Sequence, residues 1–200
     1  MSLYCEYDSL VTESDVEQKF IYQLLTSAYP MGFGFRPLDI QTKHILKQYL
    51  IGKGKHKYYY LDYVIAIRGI PLLVIETKSP GEDLQKAFSE ARLYADKINA
   101  KFPHKVNVCN RIIVSNATET WAGYNDCAEP QLKLLFEDFS VENKKFIELL
   151  NFCSKDELVQ LSNKPYISSR GKANFNTPVS RLGGKRVQDE ELVEIFMEEL

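Results

Sequence analysis

Several things are missing from this chain, and each absence narrows what it can be. No run approaches the roughly eighteen consecutive apolar residues of a membrane-spanning helix, so no membrane partner is expected. The four cysteines, Cys5, Cys109, Cys127 and Cys153, are scattered, with no Cys-x-x-Cys or Cys/His pairing. That excludes a disulfide framework or a zinc site and points to reduced thiols in a cytoplasmic protein. Gly-x-x-x-x-Gly-Lys-Ser/Thr occurs nowhere, and Gly52-Lys53-Gly54-Lys55 is no substitute for it. Strong charge of either sign is also lacking: 25 basic against 27 acidic residues leave a net charge of -2, which argues against electrostatic coating of nucleic acid by the chain as a whole. There is one tryptophan, Trp121, read here as a packing residue, and there is no internal repeat or low-complexity block.

What is present centres on Tyr58 to Gly81. Two runs rich in aromatic and β-branched residues flank Arg68-Gly69-Ile70-Pro71, the pattern of two strands and a tight connection. Leu72 to Ile75 is continuously apolar, so both faces of the second strand are expected to be covered, and Glu76 and Lys78 then break the run. Folding the hairpin about Gly69 sets Val64 opposite Val74, Asp62 opposite Glu76 and Tyr60 opposite Lys78, all on one face by strand alternation. Two carboxylates that close repel unless a cation lies between them. Their hard oxygens suit magnesium, and Lys78 emerges beside them, where it can hold or polarise a water. The pattern suits phosphodiester cleavage. The plainer reading is a surface Asp beside a Lys–Glu ion pair. Glu-x-Lys alone says little, since it also occurs at Glu17-Gln18-Lys19 and Glu142-Asn143-Lys144; only the middle copy ends an apolar strand with an Asp on its hairpin partner.

Asp62 followed by Glu76-Thr77-Lys78 resembles the PD-(D/E)xK nuclease signature. The surrounding phrase, Asp62-Tyr63-Val64 through Ile75-Glu76-Thr77-Lys78-Ser79-Pro80-Gly81, more narrowly resembles the N-terminal nuclease domain of the R (restriction) subunit of type I restriction-modification enzymes. The similarity runs from about Glu13 to about Asn125; Leu61 stands where the family often has proline. The resemblance implies that Asp62, Glu76 and the carbonyl of Thr77 hold Mg2+, with Mn2+ able to substitute, and that Lys78 assists attack of water on DNA. It also implies a further acid from the first helix, for which Glu17 is the choice, and a Gln-x-x-x-Tyr pair on the helix after the Glu-x-Lys strand. Tyr94 matches that tyrosine, but Glu90 stands in place of the glutamine. A carboxylate there can coordinate a second cation or face solvent beside Arg92. Core packing explains Tyr94 equally well. By the same resemblance, ATP belongs to the motor of the full-length enzyme and not to this chain. The partners implied are double-stranded DNA, the motor region, and the methyltransferase and specificity subunits.

The rest of the chain supplies the frame. Val16, Phe20, Leu24 and Ala28 repeat at helical spacing over 12–28, and Ser14 with Glu17 fits a capping box, a structural account of the same Glu17. Residues 38–57 fit either a helix or a hairpin, with a strand ending near Ile51 preferred. Lys43, Lys47, Lys53, Lys55 and Lys57 just before the acids suit contact with a phosphate backbone, although most such runs are simply solvated. A helix is expected over 82–102, strands over 105–115, 119–124 and 132–139, and helices over 140–152 and 154–161, the last opened by a Ser154–Glu157 capping box.

The expected fold is therefore α/β, a restriction-endonuclease-like mixed β-sheet of four or five strands flanked by helices. Residues 1–162 are expected to form the nuclease-like domain and 163–188 a basic linker. Residues 189–200 are read as an acidic amphipathic helix leading into a missing region. The expected function is metal-dependent DNA cleavage. The alternative is a nuclease-fold module that binds DNA or protein without cutting.

Overall fold

A computed structural model of the chain describes residues 2–42, 51–53, 57–59, 61–100, 102, 107–163, 181–182 and 185–186. Its centre is a mixed six-stranded sheet in the order β1-β4-β5-β6-β7-β8, formed by β1 (Ile40–Thr42), β4 (Tyr63–Ile67), β5 (Ile70–Thr77), β6 (Arg111–Ser115), β7 (Glu119–Tyr124) and β8 (Leu132–Leu135). Every neighbouring pair is antiparallel except β5 and β6. A parallel pair needs a crossover, and α3 (Leu84–Asn99) provides it, capped at its start by the Asp83 carboxylate accepting from the Gln85 N–H at 2.9 Å. The α/β architecture is as expected, with more strands than expected. Short β1 was not legible in a segment that read equally well as helix.

The central hairpin turns on Arg68 and Gly69, both at positive φ (55° and 80°), with Ile67 paired to Ile70. Two residues at positive φ make the hairpin turn whose twist matches its strands. A bulge then places one extra residue, Leu72, in β5, so that Ala66 pairs with Pro71 but Ile65 with Leu73. Proline cannot donate to a ladder, and a bulge is where a strand tolerates it. Past the bulge the pairing is Val64 with Val74 and Tyr63 with Ile75, the register expected from folding about Gly69.

One core joins both faces of the sheet. α3 lies on the face of Gly123, where an added Cβ would stand 3.1 Å from Phe88 Cζ. The opposite face is covered by α1 (Glu13–Asp15), a π-helical stretch Val16–Ile21 and α2 (Tyr22–Thr26), with Val16, Phe20, Leu24 and Leu25 all buried. The first helix is capped by Thr12 and Asp15 rather than by Ser14 and Glu17. Two overlapping Ser/Thr-x-x-acid patterns compete here. Asp15 prevails because its carboxylate also binds Lys19 at 2.7 Å and accepts from the Val11 N–H. α4 (Lys144–Cys153) and α5 (Lys155–Ser162) complete this side. Ser154 does sit at the α5 N-cap, but its side chain caps nothing; the Lys155 N–H donates to the Phe33 carbonyl instead.

Within the strand expected over 105–115, residues 105–106 lie outside the described residues and the ladder of the described ones begins at Arg111. Before it, Asn99 stands in for strand pairing. Its Oδ1 accepts from the Cys109 N–H at 2.7 Å and its Nδ2 donates to the Cys109 carbonyl at 2.9 Å. Asn99→Ala removes both bonds and leaves buried Cys109 backbone groups unsatisfied, so a loss of about 1–3 kcal/mol is expected. It should appear as a lower urea midpoint with unchanged slope; an unchanged midpoint would show that solvent replaces the amide.

β2 (Ile51–Lys53) and β3 (Lys57–Tyr59) pair antiparallel in a separate two-stranded sheet, Lys53 opposite Lys57. The strand placed near Ile51 runs to Lys53, while Ile45, Leu46, Tyr49 and Leu50, on which the helix alternative rests, lie outside the described residues. Within the expected linker, β9 (Arg181–Leu182) pairs with β10 (Lys185–Arg186). The helix expected at 189–200 and the basic residues Lys43, Lys47 and Lys55 lie outside the described residues. Among the described residues no helix is long and apolar enough to cross a membrane.

Candidate active site

The candidate site forms where β5 ends, beside its parallel neighbour β6. Open α/β sheets characteristically bind ligands at the carboxyl ends of parallel strands. Glu76 pairs with Val114 and Val114 with Trp121, so Glu76 emerges on the α3 face of the sheet. The Lys78 N–H donates to the Ser115 carbonyl at 2.8 Å, holding the chain against β6 as it leaves the strand. β5 is buried along its whole length, and the polar residues at its end inherit that burial: Glu76 is 4% exposed, Thr77 0% and Asp62, across from them, 2%.

Asp62 precedes β4 in a bend, so strand alternation does not govern it, contrary to the hairpin expectation. Its Oδ2 accepts two bonds of 2.6 Å from Thr77, one from the backbone N–H and one from the hydroxyl. Glu76 Oε1 accepts from Lys78 Nζ at 2.8 Å, while Glu76 Oε2 is buried without a hydrogen-bond partner. Tyr60, expected opposite Lys78, lies outside the described residues.

The electrostatics follow from one cation facing two buried acids. Burial pushes the Glu76 carboxyl up to about 8, and the charge of Asp62 adds to the rise; Lys78 opposes it and Glu90 reinforces it. Burial pulls on the Lys78 ammonium in the opposite sense, but the attraction of Glu76, the bond to it, and the charges of Asp62 and Glu13 outweigh that and hold its pKa above the usual lysine value. An orphaned buried carboxylate oxygen, a second carboxylate close by and a surplus of negative charge fit a hard divalent cation. Among the described residues no group of three or more His, Cys, Asp and Glu side chains gathers to hold a metal.

The remaining candidates are sorted by position. Glu90 is half-buried on α3 with its charge acting on Glu76, so it borders the site. Arg92 does not accompany it; its Nε donates to the Asn125 carbonyl at 2.7 Å. Tyr94 is 5% exposed and packs in the core. Glu17 stands on the other side of the sheet, where its carbonyl accepts from the Tyr63 hydroxyl at 3.3 Å and its charge acts on Tyr63. The first-helix acid whose charge reaches Lys78 is Glu13, one turn earlier. Helical spacing and the Ser14–Glu17 pattern did not single it out. Recognising Thr12 as the cap would have placed Glu13 in the first helical turn.

Residues 40–131 match the family model described as Type I restriction enzyme R protein N terminus. The recognition drawn from Asp62 and Glu76-Thr77-Lys78 is borne out over that stretch. The R-protein match takes in a little under half of the chain, from β1 through β7, and encloses Asp62, Glu76, Lys78, Glu90 and Tyr94. Glu13, Glu17 and every helix packed on the far face lie outside it. No curated protein and no solved structure matches the chain.

Proposed function

We propose that this chain is the metal-dependent nuclease part of a type I-like restriction R subunit, hydrolysing phosphodiester bonds of double-stranded DNA in the cytoplasm. The observation that carries this reading is the orphaned Oε2 of buried Glu76, set beside Asp62 and Lys78 at the end of β5. Asp62, Glu76 and the Thr77 carbonyl would hold Mg2+, with Mn2+ as a substitute. When bound, the cation supplies Lewis acidity and offsets the charge that builds on the phosphate. Lys78 Nζ, already hydrogen-bonded at the carboxylate, would orient or polarise the attacking water beside the cation and donate to the phosphate oxygen that gains charge. The low exposure of Glu76 and Asp62 keeps bulk water from screening these interactions. The lysines at 43, 47, 53, 55 and 57 are proposed to contact the DNA backbone. The motor region of the same subunit and the methyltransferase and specificity subunits are the proposed partners, with ATP used by the motor.

The test is calorimetric titration of Mg2+ and Mn2+ into the chain and into Asp62→Ala and Glu76→Ala. Binding in the parent that disappears in both variants is expected, followed by metal-dependent nicking of plasmid DNA by the parent alone. Absence of binding, with manganese and a DNA duplex both present, would overturn the reading and leave the Glu76–Lys78 pair as a structural ion pair.

A further inference from the structure

Thr77 lies between the two residues that carry the proposed chemistry, and its side chain does something that its place in a Glu-x-Lys triplet does not require. The β4–β5 ladder ends at Tyr63 and Ile75. Beyond it, the Thr77 N–H is taken up by the Asp62 carboxylate. The Thr77 hydroxyl then adds a second bond to the same oxygen, Oδ2, also at 2.6 Å. All three groups are shut away from solvent, with Thr77 0% and Asp62 2% exposed. Such bonds to a carboxylate are short and strong. A single donor lets a carboxylate swing about the bond, whereas two donors from one rigid strand residue fix both its rotation and its tilt.

We propose that the Thr77 hydroxyl is a positioning residue that aims the Asp62 carboxylate at the divalent cation and tunes the site for magnesium over calcium. This inference rests on the metal-site reading above. Ligand carboxylates are commonly oriented by such partners, and removing one typically costs about 10–100-fold in metal affinity. Mg2+ demands near-ideal octahedral geometry, while Ca2+ accepts irregular coordination. A loosened Asp62 therefore penalises Mg2+ more than Ca2+. Thr77 is otherwise an ordinary β-former at the end of an apolar strand, so this role is invisible without the Asp62 contact.

The experiment is calorimetric titration of MgCl2 and, separately, CaCl2 into the full chain and into Thr77→Val, Thr77→Ala and Thr77→Ser, with Asp62→Ala as the blank. Circular dichroism in chelator checks that each variant is folded. Valine keeps the shape and deletes the donor; alanine makes the same deletion should valine disturb the strand. A Mg2+ affinity loss of about 10–100-fold in both, a smaller loss for Ca2+, and parent-like binding in Thr77→Ser are expected. A residue with a merely structural role would not shift the Mg2+ to Ca2+ ratio or be rescued by serine. Parent-like Mg2+ affinity in Thr77→Val and Thr77→Ala overturns this inference and leaves the metal site standing. A parent that binds no metal beyond the Asp62→Ala blank overturns the metal site, and this inference with it.

Discussion

In chelator at pH 9, Glu76→Gln should melt several degrees above the parent, and at pH 4 the two should melt together. Glu76 is pushed up to about 8 in the folded chain against an ordinary value of 4.5. Below 4.5 the carboxyl is protonated both folded and unfolded, so stability is unaffected. Between 4.5 and 8 the unfolded chain releases the proton while the folded chain retains it, and stability falls as pH rises. Above 8 the loss levels off at its full extent. A tenfold difference in proton affinity between the folded and unfolded chain corresponds to about 1.4 kcal/mol, so the loss is on the order of a few kcal/mol. In a domain of this size each kcal/mol moves the melting temperature by about 2–4 °C. Glutamine keeps the shape and can accept from Lys78 without the charge, so its curve should be flat through this window. Added Mg2+ should lift the parent at pH 9 and leave Glu76→Gln where it was, since only the parent can gain from binding. Parallel pH curves for the two proteins would show that Glu76 is not the destabilising carboxylate.

The second large effect concerns what the family match leaves out. A fragment limited to residues 40–131 should not fold cooperatively, although it contains Asp62, Glu76, Thr77 and Lys78. The sheet face opposite α3 is closed by residues from beyond both ends of that stretch. Phe20 packs edge-to-face on Phe139 with ring centres 4.8 Å apart and tilted against Phe136 at 5.5 Å, and Phe139 continues to Phe146 at 5.5 Å. Phe20 and Phe146 are 0% exposed, and Phe139 is 1% exposed. Without them Leu73, Ile75 and Ile113 would face water on a sheet whose other face is already packed, and an exposed apolar face of that size favours aggregation. In the full chain Phe20→Ala alone should cost about 3–5 kcal/mol, the usual cost of emptying a buried aromatic position. Urea titrations followed by circular dichroism check both. A sharp transition for 40–131 at the parent's midpoint would mean that the flanking helices only decorate an autonomous unit.

Asp62, Glu76 and Lys78 were legible because strand chemistry is local: an apolar run that stops at an acid marks a strand end, and a glycine between two such runs marks the turn. The register held for a reason that the residues alone did not reveal. The actual turn is Arg68-Gly69 rather than one centred on Gly69, and the bulge at Leu72 restores the offset before the strands reach the acids. The first-helix cap was misassigned because Thr12–Asp15 and Ser14–Glu17 are equivalent as local patterns. The Lys19 bond to Asp15, with the Lys19 ammonium also donating to the Ser9 carbonyl, and the Val11 N–H bond to the same carboxylate separate them. Glu90 was visible as a departure from the family's glutamine, but its influence on Glu76 depends on where α3 lies across the sheet.

By itself, then, the sequence determined the α/β class, the hairpin, the helix that follows it and the strand end that carries Glu76 and Lys78, because periodicity and strand-end chemistry act over a few residues. Tertiary structure alone decided that Glu76 is buried beside Asp62 with one oxygen unpartnered, that Thr77 holds Asp62 through two bonds, and that Glu13 rather than Glu17 acts on Lys78. Those features depend on burial and on the charges of residues far apart in the chain, which become neighbours only once the sheet and its helices have packed.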